Sequence, residues 1–353
     1  MNILRLLFKK KEDFPEEFLA LDLGGSLLKV LLFRAERDYV HLLGARKAPQ
    51  GSDSAATLRE MVADLRGDFP GLSRVAVAGV SGPFAAAFTT VVRSSLSRSA
   101  DEIALQAREL ALRQAERELR RSLGDSKLSL LELEAEVLEV KELEKLELYL
   151  FTSFGEKSYL RRQEELVRQS GLSLWGFSSL PFNLIGALSA KESLNTLVVD
   201  IGGEKTEISL AFGGELMDTK SFWWHFPPEV EENSARFLDL WVSAVSDALD
   251  AFTETKTFPA QILLTGGGAA VPELVERVGN FRWEQEHPFD STPAVSVVSK
   301  DGLAGIYAEG IGFGSPEDIL PLSLGRVALR VGGSFSGATE DRESEEGGEE
   351  EGK

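Results

Sequence analysis

The chain has 353 residues, of which 43% are hydrophobic and 27% charged, so it can bury a sizeable core and is expected to form about two globular domains. Cysteine is absent and there are only three histidines, which excludes a disulfide framework and argues against a histidine-built metal centre. The formal net charge of −19 argues against nucleic-acid binding, which needs a concentrated basic face. No stretch approaches the roughly 18 apolar residues of a membrane span, and a cytoplasmic protein is expected.

The N-terminal residues 1–16 form a basic and apolar lead-in. MNILRLLFKKK places leucine, isoleucine and phenylalanine beside Arg5 and Lys9 to Lys11. Residues 1–11 therefore suit a weak anchor on an anionic membrane surface, at the inner face of the cell membrane. The alternative is a simple lead-in to the first strand, and the sequence leaves both open.

Residues 17–82 alternate short apolar runs with one amphipathic segment. Strands are predicted over 18–23, 27–33, 39–43 and 74–80. A helix is predicted over 55–65, where Leu58, Met61, Val62 and Leu65 recur with helical spacing. Strands that alternate with a helix indicate an α/β layer.

The pattern changes over residues 83–171, which read as a small inserted α+β module. A strand is predicted over 88–93 and a long helix over 100–123, after Ser99 and Glu102 in a capping box. Two further strands are predicted over 128–140 and 147–154, and a helix over 159–169. The stretch from Leu128 to Leu150, rich in glutamate and leucine, could instead be helical.

Buried-strand patterns return after residue 171. We predict strands over 172–177, 196–201, 206–212, 215–222 and 261–265, and helices over 183–188 and 229–252. The small-residue stretch GLAGIYAEGIGFG, 302–314, is expected to be a helix that closes this part. Residues 331–353 read as a disordered acidic tail, because eight of the last fifteen residues are acidic.

Two stretches repeat one pattern. LALDLGGSLLKVLLF (19–33) and LVVDIGGEKTEISLAF (197–212) each have an apolar strand, an aspartate, two glycines and a second strand. The repetition predicts two similar halves that face each other. Glycine turns leave backbone N–H groups free to surround a polyphosphate, and Asp22 and Asp200 could hold its Mg²⁺ through water molecules. A third turn follows the strand in QILLTGGGAAVPEL (261–274), where the backbone can approach a nucleoside.

These motifs, in this order, resemble the phosphate-1, phosphate-2 and adenosine motifs of the actin-like ATPase superfamily. The residues that match the three motifs in turn are Asp22, Gly24, Gly25, Ser26 and Lys29; Asp200, Gly202, Gly203 and Thr206; and Gly266, Gly267 and Gly268. The resemblance implies that ATP binds at these glycines, Ser26, Lys29 and Thr206, with Mg²⁺ at the two aspartates. Lys29 could equally be a solvated strand residue.

The inserted module is similar to the SHS2 module of the FtsA and PilM proteins. The resemblance implies an actin-like (ribonuclease-H-like) α/β fold of two halves. Its first half comprises residues 17–82 with 172–192, the module comprises 83–171, and a reduced second half comprises 193–330. Between the second and third motifs the family carries an extra subdomain that covers the adenine, and this chain is short there.

The resemblance implies an FtsA-like cell-division assembly protein that binds ATP and recruits an FtsZ-like partner, with self-association. A PilM-type adaptor of a pilus or secretion machine is the alternative, favoured by the acidic C-terminal residues, which differ from the basic membrane helix of FtsA. A scaffold without nucleotide is a further alternative. A small-molecule kinase is disfavoured, because no aspartate or glutamate stands in the context of a catalytic base. Hydrolysis is doubtful, because Leu180 stands before Pro181 where FtsA proteins have an acidic residue.

Overall fold

A computed structural model describes residues 14–24, 26–125, 127–142, 144–189, 194–225 and 234–332. The first part of the chain forms β1 (Glu17–Leu23), β2 (Leu27–Ala35), β3 (Val40–Pro49), α1 (Ser54–Asp68) and β4 (Val75–Val80). The next part forms β5 (Ala85–Ser94), α2 (Ala100–Leu123), β6 (Leu130–Glu142), β7 (Leu146–Glu156) and α3 (Lys157–Gln169). Each predicted element of these two parts is present, and β3 is longer than expected.

The chain continues with β8 (Ser173–Ser179), α4 (Leu180–Ser189), β9 (Thr196–Ile201), β10 (Lys205–Phe212), β11 (Glu215–Trp223) and α5 (Ser234–Leu249). It then forms β12 (Gln261–Thr265), α6 (Pro272–Asn280), α7 (Trp283–Glu286), β13 (Ala294–Val297), β14 (Ile306–Tyr307), α8 (Ile319–Ser323) and α9 (Arg326–Gly332). Within the described residues, α5 is the one helix between β11 and β12, so the second half is small. No helix of the described residues has the length and apolar character needed to cross a membrane.

Two mixed sheets repeat one topology. The first has the order β14-β3-β2-β1-β4-β8, and β1 pairs antiparallel with β2 and parallel with β4. The second has the order β11-β10-β9-β12-β13, and β9 pairs antiparallel with β10 and parallel with β12. The strand that precedes each Gly-Gly turn is thus third or fourth in its sheet, with buried residues along its length, and it ends at the same edge as its parallel neighbour. This confirms the prediction of two similar halves.

The inserted segment forms a separate sheet, β5-β7-β6, covered by α2. Alanines along one side of α2, among them Ala107, Ala111 and Ala115, are fully buried, so the helix lies close to the strands. The glutamate- and leucine-rich stretch, for which the sequence left strand and helix open, forms β-strands. Leu146 and Leu148 are buried on one face of β7, and β6 pairs with β7 along its length. The apolar and charged residues of the stretch alternate, which gives a strand one buried face. The helical alternative is therefore wrong.

The C-terminal part of the structure differs from the sequence-based expectation. Residues 302–314 are not a helix: they contain a turn, the short strand β14 and glycines with positive φ, among them Gly305 (75°) and Gly310 (71°). The left-handed backbone at these glycines is incompatible with a continuous α-helix.

The chain instead ends with the short helices α8 and α9. They contact β1, β2 and β3, and β14 pairs with β3, so this part of the chain returns to the first sheet. Because α9 ends at Gly332, residues 331 and 332 are helical rather than part of the tail. The remaining tail, 333–353, and the predicted anchor, 1–11, lie outside the described residues.

Candidate functional site

The two Gly-Gly turns lie next to each other. Asp22 is paired with Lys29 across the first hairpin, and Asp200 with Glu207 across the second. A Cβ atom added to Gly203 would stand 3.0 Å from the Ser26 hydroxyl oxygen, so the tips of the two turns almost touch. The two halves of the molecule therefore meet at the motifs that the sequence singled out.

The three glycine turns line a common cleft of about 550 Å³, which we call the glycine cleft. The predicted site residues that line it are Asp22, Gly24, Ser26, Lys29, Asp200, Gly202, Gly203, Gly266, Gly267 and Gly268. Gly25 lies outside the described residues. Ten of the twelve predicted residues are thus brought together, although they come from three distant segments of the chain.

The third turn packs directly against the second aspartate. Gly266 has a φ of +84°, and a Cβ atom there would stand 2.5 Å from Asp200 Oδ1 and 2.6 Å from the Ile201 carbonyl oxygen. A Cβ atom added to Gly268 would likewise clash with the Ile201 side chain. Only residues without a side chain allow this approach, so the glycines have a steric role here.

Asp200 lies in an electrostatically unfavourable position for a carboxylate. Its pKa is raised to about 6, chiefly by burial and in smaller part by the nearby Asp22, although Lys205 and Lys29 act in the opposite direction. The two aspartates therefore share one poorly hydrated region of negative potential. A cation bound between them would relieve this repulsion.

Both lysines of the cleft are already engaged with protein groups. Lys29 Nζ lies 3.5 Å from Asp22 Oδ2 and donates a hydrogen bond to the Glu317 carbonyl oxygen. Lys205 donates to the Ser81 hydroxyl and to the Gly82 carbonyl oxygen. The alternative of a solvated strand residue at Lys29 is wrong, since its exposed fraction is 6%.

Thr206 is the predicted site residue that the structure places elsewhere. Its hydroxyl is fully buried and accepts a hydrogen bond of 2.9 Å from Trp241 Nε1 of α5. Successive side chains of a strand point to opposite faces, so Thr206 faces α5 while Lys205 and Glu207 face the first half. This alternation indicates Lys205, rather than Thr206, as the side chain at this turn that lines the cleft.

Glu207 joins the two halves from the same face of β10. Its Oε1 accepts a 2.8 Å hydrogen bond from the Gly82 backbone N–H, whereas Oε2 is buried and makes no hydrogen bond within the described residues. Burial raises the pKa of Glu207 to about 7. This carboxyl group and Lys205 together tie the second half to the Ser81–Gly82 turn.

Sequence reasoning missed the residues that close the sides of the cleft. Phe84 stacks on Tyr159 with ring centroids 4.3 Å apart, and both line the cleft together with Trp223. Burial raises the pKa of Tyr159 to about 12, and Asp22 adds to the shift, so the phenol is neutral. These residues and Glu317 are far apart in sequence and belong to no motif, so no local signal could have identified them.

Leu180, where FtsA proteins have an acidic residue, also lines the cleft. It is 3% exposed and packs so closely on Gly79 that a Cβ atom there would stand 2.7 Å from it. The carboxylates that line the cleft are those of Asp22, Asp200, Glu204 and Glu317. The position before Pro181 therefore contributes an apolar wall.

No family model and no curated protein matches the sequence at a significant level. Among solved structures, a chain of the PilM–PilN type IV pilus biogenesis complex is similar, with 17% identity and a TM-score of 0.59, covering 89% of this chain and 99% of that chain. The ethanolamine utilization protein EutJ of Carboxydothermus hydrogenoformans has 12% identity and a TM-score of 0.46, covering 92% of this chain and 93% of its own.

A third similar structure is the cytoplasmic domain of EpsL, an inner membrane component of the type II secretion system of Vibrio cholerae. It has 10% identity and a TM-score of 0.40, and covers 88% of this chain and 94% of its own. The likeness to the chain of the PilM–PilN complex and the two repeated sheets show that the chain has the actin-like ATPase fold.

Proposed function

We propose that this protein is an adaptor of the actin-like fold that binds Mg²⁺-ATP in the glycine cleft and recruits a protein partner of a pilus or secretion assembly. The observation that carries the nucleotide part is that Asp22 and Asp200 share one cleft with three glycine turns. The polyphosphate would lie along the turn that contains Gly24 and Ser26 and along the turn of Gly202 and Gly203, which line the same cleft. The nucleoside would lie beside the turn at Gly266–Gly268.

The donor set suits a phosphate-bound Mg²⁺. Within the described part of the chain, no group of three or more histidine, cysteine, aspartate or glutamate side chains gathers to hold a metal ion. Two carboxylates with phosphate oxygens and water are what Mg²⁺ commonly takes. The raised pKa of Asp200 supports the assignment, because a divalent cation would stabilise its charged form.

The partner part of the proposal rests on structural similarity. The solved chain with a TM-score of 0.59 comes from a complex in type IV pilus biogenesis, and nearly all of that chain is covered. An FtsA-like role in cell division, with an FtsZ-like partner, is the second candidate, and it rests on the motifs and the inserted module alone. In both roles the protein would act at the inner face of the cell membrane, with self-association.

Calorimetry with Mg²⁺-ATP tests the nucleotide part. Saturable binding is expected for the native chain and is expected to weaken at least about tenfold in Asp200→Asn, since a metal-binding charge is lost. Glu204→Gln is the matched control, because Glu204 is an exposed acid at the rim of the same cleft. Absence of binding to the native chain would instead support the scaffold without nucleotide.

A pull-down separates the two adaptor roles. The purified chain is presented with a C-terminal peptide of an FtsZ and, separately, with the cytoplasmic peptide of a pilus inner-membrane protein. Retention of the pilus peptide alone supports the proposal. Retention of the FtsZ peptide alone would replace it with the cell-division role.

A further inference from the structure

A second cavity lies apart from the glycine cleft, where the inserted module, α4, α9 and the β10–β11 turn meet. Its volume is about 440 Å³. The apolar residues that line it are Leu138, Phe182, Ile185 and Leu216. Two arginines one helical turn apart on α9, Arg326 and Arg330, provide the positive charge. We call this space the Arg326 cavity.

Arg330 is held by three protein groups, although its Nε atom makes no hydrogen bond within the described residues. Its Nη2 atom donates to Glu134 Oε1 at 2.7 Å, and its guanidinium lies 4.6 Å from the centroid of the Phe182 ring. Nη1 lies 3.4 Å from the Asn183 side-chain oxygen. Arg330 therefore fixes the inserted module to α4 and α9, and has a structural role.

Arg326 is different, because it makes no ion pair with any residue that the structure describes. Its Nε atom is buried without a hydrogen-bond partner. Burial and the nearby Arg330 lower its pKa, while Glu136 and Glu215 at the rim raise it without forming an ion pair with it. Arg326 is half-buried, and a partly desolvated cation without a close ion-pair partner costs free energy, so the side chain is held in place by something other than charge pairing.

Gly186 of α4 explains how the side chain is accommodated. A Cβ atom at position 186 would stand 2.6 Å from Arg326 Nε and 2.8 Å from its Cζ. The absence of a side chain there leaves room for the guanidinium against the helix. The Arg326 guanidinium therefore lies beside the apolar residues that line the cavity, which we call its apolar floor.

We propose that the Arg326 cavity binds a monocarboxylate carried on a short apolar chain, with the Arg326 guanidinium pairing with the carboxylate and the apolar floor holding the chain. A planar guanidinium offers two parallel N–H donors that match the two oxygens of a carboxylate. Glu136 and Glu215 at the rim disfavour anions of higher charge such as phosphate. The carboxylate can come from a free short-chain acid or from an acidic side chain of a peptide, and both present the same chemistry.

The test is an NMR titration of the full chain that follows arginine Nε–H signals. The Arg326 signal is identified by its loss in Arg326→Gln. We expect hexanoate to shift it saturably, whereas hexylamine and methyl hexanoate, which lack the carboxylate, leave it in place. The peptide N-acetyl-Leu-Glu-Leu-amide is the second arm, with its glutamine counterpart as control. Binding of hexanoate alone identifies a free acid as the ligand, and binding of the peptide identifies a protein source.

Variants decide whether Arg326 is responsible. Calorimetry compares the variants, and Arg326→Gln is expected to weaken binding of whichever ligand binds by about tenfold or more, because a charged hydrogen-bonding partner is lost. Gly186→Ala keeps the charge but displaces the guanidinium, and is also expected to weaken binding. Arg113→Gln is the matched control, because Arg113 is an exposed arginine of α2.

Equal binding of hexylamine, undiminished binding in Arg326→Gln, or no binding of either carboxylate overturns the proposal. Mg²⁺-ATP binding is measured in parallel and is expected to be unchanged in Arg326→Gln, so this test is independent of the proposed function.

Discussion

The Gly82 backbone N–H donates a 2.8 Å hydrogen bond to the Glu207 carboxyl group, and this bond crosses from the first half of the molecule to the second. Glu207 is 2% exposed, and Gly82 is itself packed against Ser221 of β11. The contact between the halves at the back of the glycine cleft therefore contains a carboxyl group that is costly to ionise.

This relationship predicts how stability depends on pH. Burial raises the pKa of Glu207 to about 7, above the 4.5 of an unperturbed glutamate. The neutral form is therefore favoured in the folded state, and the stabilisation is fully present below about pH 4.5 and is lost as the pH rises through about 7. We expect Glu207→Gln to match the native chain at pH 5 and to be more stable at pH 8, by up to about 3 kcal/mol.

Urea unfolding at the two pH values measures this difference. Gln retains the acceptor for the Gly82 N–H, so the comparison isolates the charge. Glu204→Gln, an exposed substitution in the same hairpin turn, serves as control and should show no such dependence on pH. An equal effect of Glu207→Gln at pH 5 and pH 8 would contradict the assignment.

Gly266 and Gly267 form a matched pair of substitutions. Alanine at Gly266 would require positive φ and would place Cβ 2.5 Å from Asp200 Oδ1, whereas alanine at Gly267 would meet only Glu317 Oε2 at 3.9 Å. We expect Gly266→Ala to cost at least about 2 kcal/mol of stability and to abolish nucleotide binding. Gly267→Ala should change stability little. Thermal unfolding and calorimetry check both, and similar losses in the two variants would show that the contact with Asp200 is unimportant.

Thr206 is expected to stabilise the fold without contributing to ligand binding. Thr206→Val removes the buried hydrogen bond between the Thr206 hydroxyl and Trp241 Nε1, which should cost about 1–3 kcal/mol. Thr206→Ser keeps the hydroxyl and should cost less. Nucleotide affinity, measured well below the unfolding temperature, should be unchanged in both variants. A selective loss of nucleotide affinity in Thr206→Val would indicate that Thr206 contributes to nucleotide binding after all.

ATP turnover is expected to be very slow even where ATP binds. Hydrolysis requires a positioned water molecule, and the apolar Leu180 lines the cleft at the position that the sequence resemblance compares with an acidic residue of FtsA proteins. Phosphate release should lie far below the roughly 1 s⁻¹ of a slow ordinary enzyme. A rate near that value, abolished by Asp200→Ala, would refute this expectation.

Membrane association, where it occurs, is expected to depend on residues 1–11. Each lysine or arginine near an anionic surface adds about 1 kcal/mol of attraction, and the neighbouring leucines and phenylalanine add apolar area. In liposome sedimentation, deletion of 1–11 should release the chain from anionic vesicles, whereas deletion of 339–353 should not. Unchanged sedimentation after deletion of 1–11 would indicate that these residues are only a lead-in to β1.

Local sequence patterns were enough to predict most of the strands and helices up to β12 and the two repeated motifs. The local signals include the capping box at Ser99 and Glu102 and the two Asp-x-Gly-Gly turns, and such signals depend on neighbouring residues only. The alternation in β6 and β7 left a helix open, and the pairing of the two strands decided between them. The repetition of the motif also implied two facing halves, since each half must bury the same kind of strand.

Which side chains face the glycine cleft depends on how distant parts of the chain pack together. Thr206 matched a motif but points to Trp241, while Lys205, its neighbour, reaches Ser81. Glu317 enters the cleft from a segment that carries no motif, and the glycines of 302–314 form turns where a helix was expected. These outcomes depend on contacts between residues far apart in sequence, and the free energy of such contacts outweighs local propensity.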